Sequence, residues 1–145
     1  MAANKKIYNI GYQGRSIESF CEALVHAKVR VLVDVRAAAW SHRPQYRKTA
    51  LAGALRNHRI EYVHCKAAGN PFRPKLGIDQ DWGTCERLYT KHVEAHPEVI
   101  GDLEEIILVQ PAALFCYEAH RSECHRGVIL SKLTERRPEL VIVDL

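Results

Sequence analysis

No apolar run in the 145 residues approaches the roughly 20 needed to cross a bilayer, which excludes a helical membrane protein and predicts a soluble chain. The start lacks the pattern of a secretory signal, since Met1-Ala2-Ala3-Asn4-Lys5-Lys6 leads directly into a strand-like Ile7-Tyr8-Asn9-Ile10. Five cysteines is an odd count and no Cys-x-x-Cys pair occurs, so a disulfide framework is not expected. Reduced thiols in a cytoplasm are the expectation. Internal repeats are absent. Acid is scarce in the first half: residues 1–60 carry eleven Lys/Arg against three Asp/Glu, whereas residues 61–145 carry ten against fourteen.

What is present fits one globular domain over residues 1–145. At 47% apolar content, a chain of this length buries roughly two-thirds of its unfolded surface without any staple. The net charge of +4 therefore hides a basic half and an acidic half. Positive charge concentrated in one region suits an anionic partner such as nucleic acid, DNA being the expected form, and no membrane partner is predicted.

Five short apolar segments read as strands: Ile7–Ile10, Val29–Val35, Glu61–His64, Ala112–Cys116 and Leu140–Asp144. Helical spacing lies between them. Ser16 is placed to cap a helix carrying Phe20, Leu24 and Ala27, and Thr49 to cap one carrying Leu51, Ala54 and Leu55. The pattern from Trp82 to Val109 is broken by Pro97 into two helices, and a last helix runs from about Cys124 to Arg136 before Pro138. Strands alternating with helices predict an α/β domain of three αβα layers, Rossmann-like or flavodoxin-like, with about five mainly parallel strands. The stretch Ala67–Asp81, holding Gly69, Pro71, Pro74 and Gly77, is the one long loop and reads as a lid or partner-binding flap.

Each polar cluster follows a predicted strand: Gly11-Tyr12-Gln13-Gly14-Arg15-Ser16, Asp34-Val35-Arg36, His64-Cys65-Lys66, and Cys116 to Arg126. In an open parallel sheet these ends share one edge, so the clusters converge on one crevice. The segment Cys116-Tyr117-Glu118-Ala119-His120-Arg121-Ser122-Glu123-Cys124-His125-Arg126 is the richest, with two thiols, two imidazoles and two guanidiniums behind an apolar run.

Taken together, Ile10-Gly11 before a Ser-initiated helix, Val33-Asp34-Val35-Arg36, Tyr62-Val63-His64, Cys116-x-Glu118 and Cys124-His125-Arg126 resemble the bacterial and archaeal family known as domain of unknown function 488. The resemblance covers nearly the whole chain. It implies a compact αβα domain with a site at the strand ends and carries no assigned activity. The proline-bearing loop after Gly69 is longer than that family's pattern.

Hydrolysis of an N-glycosidic bond is the leading chemical expectation, in its most concrete form a DNA glycosylase excising a damaged or modified base in repair. Such a reaction builds positive charge on the sugar and needs a carboxylate and a donor for the departing base. Asp34 or Glu118 would supply the carboxylate and His125 the donor, with Cys116 and Cys124 as further catalytic candidates. Gly11, Tyr12 and His64 would form the base pocket. Arg15, Arg36, Arg43, Arg47, Lys48 and Arg126, with Trp40 and Tyr46, would grip phosphates and stack bases.

A rhodanese-like sulfurtransferase is the alternative. Cys116 is followed five residues later by Arg121, but the intervening loop has no glycine and holds Glu118, which would repel an anion. A tyrosine-phosphatase loop needs Arg one position later, where Ser122 stands. Cys124 at a helix start would favour its thiolate. Cys116, Cys124, His125, His64 and Cys65 offer soft metal ligands, but sequence neighbours seldom bind one ion together, so neither metal nor cofactor is expected. A nucleic-acid-binding module without chemistry explains the charge and leaves the Cys-x-Glu and Cys-His-Arg groups unexplained.

Overall fold

In the computed structural model, which describes residues 6–72 and 81–145, apolar strands and amphipathic helices alternate as β1 (Lys6–Gly11), α1 (Ile17–His26), β2 (Val31–Asp34), α2 (Lys48–Arg56), β3 (Glu61–His64), α3 (Trp82–Ala95), α4 (Pro97–Val109), β4 (Ala112–Cys116), α5 (His125–Arg136) and β5 (Val141–Asp144). The five strands form one sheet in the order β3-β2-β4-β1-β5, and every pairing is parallel. This is the α/β three-layer arrangement expected of the alternation. Register sets Asp34 beside both His64 and Phe115, and Gly11 beside Cys116.

Right-handed crossovers dictate which face each helix covers. From β1 the chain steps one way to β2 and β3, placing α1 and α2 on one face; from β3 it steps back to β4 and then β5, placing α3, α4 and α5 on the other. The two halves of the core agree: Phe20, Leu24, Leu51 and Leu55 pack with Leu32, Ala113 and Phe115, while Tyr89, Val93, Leu103, Ile107 and Ile129 pack with Val31, Val33, Ala112 and Leu114. The period of two along β4 divides its side chains between the layers and delivers Cys116 to the α3–α5 side.

Ser16 caps α1 by accepting from the Ser19 N–H at 3.1 Å. Thr49 does not cap α2. That helix starts two residues earlier, at Lys48, with extended Arg47 at the cap position, no side-chain cap bond, and the Arg47 side chain drawn instead to the Ser41 carbonyl. Pro97 opens α4, where its missing N–H has no helical partner to lose. β2 is shorter than its apolar run, because the Arg30 and Val31 N–H groups both turn to the Pro111 carbonyl. Of the long loop, Lys66–Ala68 forms a 3-10 turn; Arg73, Pro74, Lys75 and Gly77 lie outside the described residues. Among the described residues no helix is long and apolar enough to cross a membrane.

Candidate functional site

The chain leaves β1 and β2 toward one face and leaves β4, between them, toward the other. Such a reversal opens a crevice beyond the carboxyl ends of the strands. A cleft of about 520 Å³ lies there, walled by Tyr12 after β1, Arg36, Ala37, Ala38 and Trp40 after β2, and Cys116, Tyr117 and Glu118 at the end of β4. Glu123 and His125 close it from the start of α5, and Asn70, Trp82 and Cys85 from the far side.

Asp34 does not face this cleft as a free carboxylate. It is wholly buried, and Arg36 Nε donates to its two oxygens at 3.0 and 3.1 Å, Arg36 Nη2 at 2.7 Å, the Arg36 backbone N–H at 3.0 Å and Tyr62 Oη at 2.5 Å. With its lone pairs occupied, Asp34 fixes Arg36 and cannot serve as the expected catalytic group. Burial disfavours the Arg36 charge, but the hydrogen bonds and charge of Asp34 outweigh it and raise the guanidinium above its ordinary pKa. The Tyr62 hydroxyl is pushed well up by burial and then by Asp34. His64 Nε2 bonds the Arg36 carbonyl at 2.8 Å, a prop for the same turn and not part of a base pocket.

At the end of β4 the arrangement differs. Cys124 sits in extended conformation at the N-cap of α5, and its Sγ accepts the Arg126 N–H at 3.5 Å and lies 3.6 Å from His125 Nδ1. Nε2 of His125 is 2.7 Å from the Val35 carbonyl, which can only accept, so Nε2 is a donor and Nδ1 is the nitrogen turned toward the thiols. The Cys116, Cys124 and His125 ligand atoms all lie within 4.8 Å of one another. Burial opposes ionisation of Cys124, yet the hydrogen bond from Cys116, that of His125 and the nearby Arg126 charge hold its pKa well below the ordinary thiol value. Cys116, donating to Cys124 and buried beside it, is raised. All five cysteines are free thiols.

Glu118 is held by its backbone. Arg126 Nη2 donates to the Glu118 carbonyl, and the same oxygen lies 1.8 Å from where a Cβ on Gly11 would stand. Gly11 thus belongs to the close packing of β1 under this loop, not to a base pocket. Arg126 is fully buried with Nε and Nη1 unpartnered, so it braces the loop from within and does not grip phosphate.

The predicted cationic surface turns largely inward. Arg43 donates to the Tyr12 carbonyl at 3.1 Å and to the Arg15 carbonyl, and it stacks on Tyr46. Tyr46 is fully buried, packed 4.3 Å from Tyr12, and its hydroxyl, pushed up to about 12 by burial, donates to the Arg15 carbonyl at 3.1 Å. Arg47 reaches the Ser41 carbonyl at 2.9 Å and lies 4.8 Å over the Trp40 ring. Each is spent on a backbone carbonyl of an irregular segment, Tyr12 and Arg15 after β1 and Ser41 after β2. Trp40, 51% exposed, and Lys48 remain at the surface, with Arg15 half-buried.

Of the expected residues the structure brings Tyr12, Arg36, Trp40, Cys116, Glu118 and His125 to the cleft. It adds Asn70, expected only as part of a lid or flap, Trp82, expected only as the start of a helical pattern, and Cys85, which nothing marked. Asn70 follows the 3-10 turn after β3, and Trp82 is the first residue of α3, whose N-cap Asp81 accepts from Thr84 N–H at 2.7 Å. The Asp81 cap was the one local signal that a helix begins there.

Among known families, the model of a domain of unknown function, DUF488, matches residues 16–133. No curated protein and no solved structure matches the chain.

Proposed function

Because the chain belongs to the DUF488 family, whose description carries no reaction, its function has to be argued from the cleft, and we propose that it hydrolyses the N-glycosidic bond of a nucleobase-bearing substrate, in the most concrete form a modified base in DNA. The observation that carries this reading is a carboxylate, Glu118, placed on a cleft whose walls are the aromatic rings of Tyr12, Trp40, Trp82 and Tyr117. Flat rings receive a planar heterocycle by stacking, and a carboxylate beside its sugar stabilises the cation that forms as the bond breaks. Asp34 drops out of this scheme. His125 also loses its role as proton donor to a leaving base, since its Nε2–H is held by the Val35 carbonyl and its Nδ1 is turned to Cys124. Asn70, whose Oδ1 accepts the Phe72 N–H at 2.9 Å, has amide donors to offer a ring substituent.

With Arg36, Arg43, Arg47 and Arg126 occupied internally, Arg15 and Lys48 are what remains, among the described residues, of the predicted phosphate grip. Two such contacts give a slope of log K against log salt of about −2, far shallower than a large phosphate footprint gives.

The test is incubation with oligonucleotides carrying modified bases and with the corresponding free nucleosides, scoring released base and abasic sites. Glu118→Gln is expected to lower release by about 10²- to 10⁴-fold while leaving binding in place. Unchanged release in a folded variant overturns the role of Glu118.

One observation favours a second reading, sulfur transfer: Cys116 and His125 line the cleft with Cys124 beside them. Thiosulfate-to-cyanide transfer lost in Cys116→Ser would support it; transfer absent in the parent protein would sink it.

A further inference from the structure

Two thiols and an imidazole buried together outside the glycosidic scheme call for a role of their own. We propose that Cys116, Cys124 and His125 bind a divalent transition metal of the zinc class, with a remaining coordination position toward the cleft. The three ligand atoms, all in buried residues, lie within 4.8 Å of one another. The 3.6 Å between Cys124 Sγ and His125 Nδ1 matches the roughly 3.5 Å that separates two ligands on a tetrahedral zinc, given bonds of about 2.3 Å to sulfur and about 2.0 Å to nitrogen. A dication can therefore enter without rearranging this pair.

The histidine is oriented as metal-bound histidines are. Its Nε2–H is anchored 2.7 Å from the Val35 carbonyl, which leaves Nδ1 as the nitrogen that faces the sulfurs and would ligate the ion. Its ring is backed edge-on by Tyr89 at 5.1 Å, and the Tyr89 hydroxyl is itself fixed to the Ala68 carbonyl at 2.6 Å. Charge also balances: two thiolates and a dication are neutral together, which suits a pocket where Cys116 is 2% and Cys124 1% exposed. Softness excludes magnesium and calcium, whose preferred ligands are oxygens. Three protein ligands rather than four leave a place for water, and Cys116 and His125 both line the cleft. His64 and Cys65 do not belong to the group.

The inference concerns binding and stands apart from base hydrolysis: metal bound without base release would leave it intact, and base release without metal would remove it while sparing the hydrolytic reading. The full-length protein is isolated without chelator and its zinc content measured, then loaded with Co²⁺ as a spectroscopic probe. About one metal per chain, a thiolate-to-cobalt charge-transfer band and the strong visible absorption of tetrahedral cobalt are expected. Cys116→Ser, Cys124→Ser and His125→Ala should each weaken zinc binding by more than about 100-fold, beyond the loss typical of outer partners, whereas Cys21→Ser and Cys65→Ser should not. Should a ligand variant fail to fold, protection of Cys116 and Cys124 from alkylation in the parent protein, lost on adding a chelator, reads the same site. Absence of metal with the two thiols joining in a disulfide under mild oxidant, or metal retained in the folded ligand variants, overturns the proposal.

Discussion

The ends of β2 and β4 look alike in sequence and behave as opposites in the folded protein. Both strands stop at a polar triplet, Asp34-Val35-Arg36 on one and Cys116-Tyr117-Glu118 on the other, and they pair directly in the sheet. At β2 each charge meets its counter-charge at once: Asp34 is closed by Arg36 and Tyr62, and the guanidinium is sandwiched over Phe115 and Tyr12 at 4.7 and 5.7 Å. At β4 the polar groups open on the cleft or gather as the buried cluster of Cys116, Cys124 and His125. A self-satisfied ion pair thus stands beside a strand end whose polar residues line the cleft.

The largest effect should come from breaking the closed side. Asp34→Ala leaves Arg36 buried without its partner, and denaturant unfolding is expected to show a loss of about 3–5 kcal/mol. The double variant Asp34→Leu with Arg36→Met should cost markedly less than Asp34→Ala alone, because no charge is stranded. Equal losses would mean the pair matters for more than its own satisfaction. Next, Tyr62→Phe removes one hydrogen bond to a buried carboxylate, worth about 1.5–3 kcal/mol, and should leave turnover at the cleft nearly unchanged. A turnover loss as large as that of Glu118→Gln would erase the division between the two strand ends.

Gly11→Ala strikes the open side through its backbone. The new methyl would meet the Glu118 carbonyl, so the loop must move; overpacking of this kind costs about 1–3 kcal/mol. Activity should fall much further than stability predicts, since the displaced residue is the carboxylate itself. Activity falling only in step with unfolding would show that the position of Glu118 is not critical.

How much of this was legible in the sequence follows from the range of the forces involved. Periodicity and punctuation are local, so the alternating strands and helices, the break at Pro97 and the cap at Ser16 were readable, and the parallel order made the strand ends converge. Pairing of charges is not local. Nothing near Arg43 in sequence says that the carbonyls of Tyr12 and Arg15 need a donor, so a basic stretch that looks like a phosphate grip became an internal staple. Trp82 and Asn70 reach the cleft from the far side of a long loop whose path no periodicity sets. The meeting of the sequence neighbours Cys124 and His125 was hidden for a conformational reason: Cys124 is extended, with φ −141° and ψ 150°, while His125 begins the helix, and this change of direction turns both side chains to one point.

The smallest predicted effect marks the outer limit of the comparison. Glu104 on α4 meets Arg136 Nη2 at 3.3 Å and Arg137 Nε at 3.2 Å near the end of α5, a surface ion pair where Asp34 and Arg36 form a buried one. Hydrogen bonding from Arg136, opposed by slight burial and aided by Arg137, lowers the Glu104 pKa. The folded carboxyl then holds its proton less tightly than the unfolded one. The pair's contribution is therefore complete above the unfolded carboxyl value and fades as pH falls through the depressed folded value. Glu104→Gln should cost under about 1 kcal/mol near neutral pH, and the difference from the parent protein should vanish in acid and shrink in about 1 M salt. The cost of Asp34→Ala should persist at that salt concentration, since ions cannot enter to screen a pair that water does not reach.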